Sequence, residues 1–450
     1  MQGGETTSGT GDCESMWALV ADLYPICRSI TGNGVRETLR RIQRVVPLEI
    51  REVPSGTRVL DWTVPREWNI RDAYIAAADG TRIVDFRASS LHVVSYSMPI
   101  RRRMRFAELE PHLFSLPDHP EWIPYRTSYY RETWGFCLAD RVRRELRPDE
   151  EYDVCIDSTL ADGALTYGEC ILPGDSTDEV LISCHCCHPA LANDNLSGIA
   201  VAVHLARALA GRPLRYCYRF LFVPGTIGPI TWLAMNETAA ARIRHGLVLA
   251  CAGDPGPSTY KRSRRGDAEI DRAVEHVLRH SGAPYSIVDF TPYGYDERQY
   301  CSPGFDLPVG SLSRTPSGRY PEYHSSADNL DLVRPECLAD TLSKVLAVVG
   351  VLERNGVYVN ASPKGEPQLG RRGLYRAIGG TKDATEMEQA LLWVLNQSDG
   401  THSLLDIADR ADLSFGLIAR AADALVAVNL LRPAVAPRPA GAAPESREGR

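Results

Sequence analysis

Two histidines, three cysteines and an aspartate fall within eleven residues, in Cys184-His185-Cys186-Cys187-His188 and Ala192-Asn193-Asp194-Asn195-Leu196-Ser197-Gly198. Imidazole nitrogens and a carboxylate suit zinc, and a catalytic zinc takes about three protein ligands and keeps one position open. Asp254 and His324 are further carboxylate and imidazole groups expected at strand ends. Together with His185 or His188 and with Asp194, they could hold one zinc, or two if Asp194 bridges. Such a zinc acidifies a water and polarises a carbonyl, which is the chemistry of hydrolysis. Cys184, Cys186 and Cys187 are soft ligands in their own right, but no CxxC pair is present. They read as packing around the site.

The elements that must position these groups follow from periodicity. Val180-Leu181-Ile182-Ser183-Cys184 is a continuous apolar run of the kind that forms a strand buried on both faces. Leu196, Ile199, Val203, Ala206 and Ala210 then alternate at spacings of three and four, the stripe of a helix. Asp194 or Asn193 is expected near its N-cap. In open α/β sheets, sites form outside the carboxyl ends of the strands. A second buried strand is expected at 218–223, ending in Pro224-Gly225-Thr226. Further strands are expected at 246–251 and 286–290, with helices at 231–243 and around Ile270 to Leu278. Alternation of this kind predicts a mostly parallel sheet with helices on both faces.

Two long polar loops follow, Tyr293-Gly294-Tyr295-Asp296-Glu297-Arg298-Gln299-Tyr300-Cys301 and Tyr320-Pro321-Glu322-Tyr323-His324-Ser325-Ser326-Ala327-Asp328. Loops this long inside a compact domain are usually functional. Tyr295, Arg298 and Tyr323 are the candidate substrate contacts. A last long helix is expected from Pro335 to Leu352.

Before the α/β pattern, Trp17 to Val46 reads as two helices. An Asp79-Gly80 turn between β-prone runs then predicts a hairpin. Short strands are expected at 91–97 and 122–130, and a hairpin-like pair at 152–157 and 165–172. The domains expected are an α/β domain at 17–55 and 134–355 and an inserted all-β domain at 56–133. A winged-helix domain at 380–433 and a disordered tail at 434–450 complete the chain.

With 450 residues, 44% hydrophobic and 24% charged at a formal charge of −7, the chain gives no reason to expect nucleic acid or an anionic membrane as partner. Residues 1–13 lack the apolar core of a signal peptide, and the longest apolar run, 345–352, is far too short to span a bilayer. The 12 cysteines lack a framework spacing and read as the reduced thiols of a cytoplasmic protein.

The order His, Asp-Asn-x-Ser-Gly, Asp, late His resembles the co-catalytic zinc aminopeptidases. The whole chain is similar to a bacterial subfamily carrying an inserted β-domain and a C-terminal winged helix. Arg28-Ser29-Ile30-Thr31-Gly32, Asp61-Trp62-Thr63-Val64-Pro65, Ile123-Pro124-Tyr125-Arg126-Thr127, Cys187-His188-Pro189 and Gly294-Tyr295-Asp296-Glu297-Arg298 carry that likeness. The resemblance implies a zinc-dependent hydrolase of amide or peptide bonds in a small or amino-terminal substrate. It also implies a Glu-Glu pair, base and ligand, where this chain has Gly225-Thr226. Glu322, and after it Glu297, are the candidates to replace the base, and the second metal position is expected to be weak.

Two rival readings remain: an amide-forming transferase or cyclase on the same scaffold, and a ligand-binding regulator acting through the winged helix. Residues 382–432 carry eight acids and four bases, a net of −4. DNA binding needs a basic footprint, so nucleic acid is not the expected partner. A role in covering the site or in self-association fits the winged helix better.

Overall fold

The apolar run ahead of the histidines forms the strand Glu179–His185, with all seven residues buried. It pairs in parallel with Cys217–Val223 on one side and Ile243–Leu249 on the other, and Val309–Ser313 continues the parallel core. This computed structural model describes residues 10–374 and 382–434. They belong to two compact units, Met1–Val348 and Val349–Arg450.

In the first unit the parallel core is extended to eight strands. Ala164–Leu172 and then Glu49–Pro54 join antiparallel beyond Cys217–Val223. Ser258–Lys261 joins antiparallel beyond Val309–Ser313, and Tyr285–Val288 pairs in parallel with it. The helices Gly198–Leu209, Ile227–Met235 and Glu269–Arg279 connect the strands. This is the α/β architecture expected. One ionic cluster lies inside it. Arg219 donates to Glu179 Oε2 at 2.6 Å and to Glu169 Oε1 at 2.5 Å, and all three are buried.

A second sheet has the order Arg82–Asp85, Glu67–Ala76, Glu151–Ala161, Ile100–Arg105. The Asp79-Gly80 hairpin is present, with Gly80 at φ 88° closing the turn. The pair expected from 152–157 and 165–172 is not. Glu151–Ala161 pairs with Glu67–Ala76 and Ile100–Arg105, whereas Ala164–Leu172 crosses into the large sheet. The β-rich part therefore draws a strand from beyond residue 133. The runs 91–97 and 122–130 are also not regular strands. Ser89 caps a 3₁₀ turn at Ser90–His92, Tyr96 takes φ 75°, and only isolated bridges such as Pro124 to Ser325 form. Gly32 has φ 96°, and a Cβ there would lie 2.0 Å from the Trp68 carbonyl oxygen. Only glycine allows the Arg28–Gly32 segment to approach the small sheet so closely.

The second unit holds the helices Lys382–Gln397, Leu404–Ala411 and Phe415–Ala427. Its three-stranded sheet has the order Asp399–Ser403, Val357–Asn360, Leu431–Pro433. A strand at Val357–Asn360 extends the winged-helix module well ahead of residue 380. The tail expected at 434–450 lies, apart from Ala434, outside the described residues. No helix among the described residues is long and apolar enough to cross a membrane.

Candidate metal centre

Asp194 is fully buried, and three imidazoles converge on its carboxylate. His185 Nε2 lies 2.8 Å from Oδ1, while His188 Nδ1 and His324 Nε2 each lie 3.0 Å from Oδ2. His185 ends its strand as the apolar run requires, and His185 and His188 both contact the Asp194 carboxylate. Donor atoms of His185, His188 and Asp194 all lie within 4.8 Å of one another. Ligands on a zinc tetrahedron with bonds near 2.0–2.1 Å are separated by about 3.3 Å. The donor types and their spacing fit zinc.

Asp194 does not cap the following helix. It sits in an irregular segment, Ala192–Ser197, and the helix begins at Gly198 with Ser197 as its N-cap. The segment is held by backbone rather than by capping. Asp328, also fully buried, accepts the N–H groups of Asn193 at 2.5 Å and Asp194 at 3.0 Å. Burial pushes the Asp328 carboxyl up to about 7, against the pull of those N–H groups. Electrostatics in the cluster run the other way. Burial opposes both charges, yet His188 and His185 hold Asp194 well below the ordinary carboxylate range, and Asp194 holds His188 well above the imidazole one.

Aromatic rings fix the imidazoles. Tyr295 stacks on His185 with centroids 5.2 Å apart, and Tyr323 stacks on His324 at 3.9 Å. Tyr125 touches both His188 and His324, at 5.1 and 5.0 Å. The turn carrying His324, itself at φ 55°, is clamped by the 123–125 segment. Tyr125 N–H donates to the His324 carbonyl at 2.8 Å, and Ser326 N–H to that of Ile123 at 2.8 Å. Arg28 does the same for the other turn, donating from Nε to the His188 carbonyl at 2.8 Å.

Residues 17–355 match a family described as a domain of unknown function, DUF4910, and residues 356–433 match a winged helix-turn-helix family. The chain belongs to the DUF4910 family. It is 50% identical, over 95% of its length and 98% of the other's, to a Clostridium acetobutylicum protein provisionally named a polysaccharide biosynthesis protein with an aminopeptidase-like domain. A crystal structure from that organism, provisionally described as a peptidase, superposes with a TM-score of 0.90 at 48% identity, covering 94% of this chain and 97% of that one. A zinc aminopeptidase from Bacillus subtilis superposes at 0.55 with 12% identity, covering 76% and 94%. That likeness shows the fold alone, that of a zinc aminopeptidase, and the C-terminal winged helix rests on the family match at 356–433.

In this DUF4910 chain the remaining expected residues are placed differently. Asp254, expected among the ligands, stands apart from the cluster. Oδ1 accepts from the Thr315 hydroxyl at 2.6 Å and from Gly256 N–H at 2.8 Å. Oδ2 accepts from Asn193 Nδ2 at 3.0 Å and from Thr315 N–H at 3.1 Å. Its lone pairs are committed to protein donors, so it braces Asn193 instead of binding metal. Glu297 is buried and paired with Lys261 Nζ at 2.8 Å; that lysine also holds the Thr291 and Tyr293 carbonyls. Glu297 thus anchors its loop. Glu322 is half-buried in the His324 turn, and its carboxylate makes no hydrogen bond or ion pair among the described residues. Arg298 Nη2 reaches the Thr226 hydroxyl at 3.3 Å.

Arg28, Tyr125 and Asp328 carry no role in the sequence reading. The first two lie in motifs of the family likeness, and Asp328 in the polar loop before the last helix. Removing the carboxylate of Asp328 tests its part. Asp328→Asn sets an amide N–H against a backbone N–H, and partners that orient metal ligands are worth about 10–100-fold in affinity. Zinc competition with a chelator should report a loss of that order. Unchanged affinity would show that the segment holds its shape without Asp328.

Proposed function

We propose that the protein is a zinc-dependent hydrolase that cleaves an amide or peptide bond next to the amino group of a small or short peptide substrate. The observation that carries this reading is the convergence of His185, His188 and His324 on the buried Asp194, in a zinc-aminopeptidase fold. A zinc held by these residues would polarise the scissile carbonyl and make a water acidic. Asp194 fixes the three imidazoles in one arrangement, and Asp328 fixes Asp194. The stacked rings of Tyr295 and Tyr323 exclude water from the histidine faces and offer apolar surface to a substrate. Arg298, beside Thr226, would orient a polar group on it.

One zinc per chain is expected. Asp254 is committed elsewhere, and Thr226 supplies no carboxylate for a second ion. The test is metal analysis after dialysis in metal-poor buffer, with turnover measured on a panel of aminoacyl amides, dipeptides and N-acylated amino sugars. The last class enters because the Clostridium acetobutylicum relative is named for polysaccharide biosynthesis. Chelation should abolish turnover, and zinc should restore it. Turnover that survives complete metal removal, or a panel left intact by the zinc-loaded protein, would overturn the reading.

A further inference from the structure

The geometry points to Asp296 as the general base of this site, supplied from the 293–301 loop to the place left empty by Gly225-Thr226. This rests on the hydrolase reading above. Asp296 is 3% exposed. Its Oδ1 accepts the Thr226 N–H at 2.7 Å, so the carboxylate docks on the very dipeptide where the family pattern has its Glu pair. Its Oδ2 is buried and has no hydrogen-bond partner. A buried, unpartnered carboxylate oxygen marks a position built to hold something else. Glu297 Oε2 and Arg298 Nε are also buried and unpartnered, so three consecutive residues each keep one polar atom open.

Two contacts put this carboxylate beside the metal cluster. Tyr295, the preceding residue, lies flat on the His185 ring. Gly225, preceding the residue that Asp296 grips, has its Cβ position 3.7 Å from His185 Cβ and 3.6 Å from Cys187 Sγ. Thr226 is held at φ 63°, a conformation that side chains avoid, and the Asp296 contact is the hydrogen bond on its amide. Strain of that kind gathers at functional sites. Burial pushes Asp296 up to about 6, with His185 pulling it down and Glu297 adding to the rise.

Asp296 Oδ2 takes one proton from a water, and the water oxygen forms the new bond to the scissile carbonyl carbon. The C–N bond then breaks, its electron pair stays on nitrogen, and the Asp296 carboxyl returns the proton to that nitrogen. No other co-reactant is needed.

Asp296→Asn is the variant to make, because an amide oxygen can still accept the Thr226 N–H. Three measurements on the zinc-loaded full chain go together: zinc content, turnover, and calorimetric binding of acetohydroxamate, which gives up a proton to a nearby base as it binds. The proposal expects zinc content and KM to hold, kcat to fall by about 10²–10⁴, and hydroxamate to bind roughly 10–100-fold more weakly. Near-normal kcat would overturn it, as would loss of zinc with activity, which would make Asp296 a ligand. A fall in Glu322→Gln with none in D296N would give the role to Glu322. If the wild-type protein turns over no amide, the hydrolase reading fails by itself. The hydroxamate arm then decides Asp296: weaker binding in D296N supports it, and equal binding overturns it.

Discussion

Asp194→Ala should lose zinc altogether. Asp194 touches all three imidazoles, through contacts of 2.8, 3.0 and 3.0 Å. Removing it takes away a ligand and the group that holds the others in place. A water cannot replace the lost negative charge in a site this deeply buried. Zinc per chain should drop from one to background, and hydrolysis should fall with it. The fold should survive, since the Asp194 N–H keeps its bond to Asp328. Full zinc occupancy in a folded D194A protein would sink the assignment.

The largest effect on stability is expected at Arg219. This guanidinium neutralises two carboxylates on neighbouring strands of the central sheet, at 2.5 and 2.6 Å. In Arg219→Leu, Glu179 retains Arg242 at 2.7 Å, but Glu169 is left with the Trp232 N–H as its close donor. Breaking a buried ion pair by removing one partner costs about 3–5 kcal/mol. Denaturant unfolding of the first unit should shift by that amount. Restoring apolar neighbours in Arg219→Leu/Glu169→Leu should recover much of it. A shift under about 1 kcal/mol in the single variant would mean that Glu169 is relieved by protonation or by water.

The metal cluster was largely legible in the sequence because three of its four side chains lie on one strand–loop segment. There, residue type and spacing carry the information. Asp254 shows where such reading fails. A strand-end aspartate looks like a ligand, and no local pattern reports that Asn193 and Thr315, each 61 residues away, already fill its lone pairs. Asp296 and Glu297 show the same limit from the other side. They are neighbours of one charge type, and only the packed turn decides that one grips Lys261 and the other Thr226. The fold was legible where apolar runs were long. Val309–Ser313 carries one glycine and two serines, so its strand signal is diluted although all five residues are buried. The strand expected at 152–157 is present within Glu151–Ala161, but its partners are set by long-range packing and not by the short turn after it.

His324 and Asp328 reach back 130 and 134 residues to Asp194. That separation sets a timetable for the newborn protein. At about 5–20 residues per second, roughly 7–26 s of synthesis separate the first three cluster side chains from the fourth. During that interval the parallel strands up to Ile243–Leu249 are available to pair, while Asp194 lacks both its last imidazole and the carboxylate that braces its backbone. A metal held by all four side chains would therefore be enclosed late, when the final loop closes the domain. A chain released before residue 324 would keep most of the sheet and three of the four cluster side chains, but neither the last imidazole nor the carboxylate that braces Asp194.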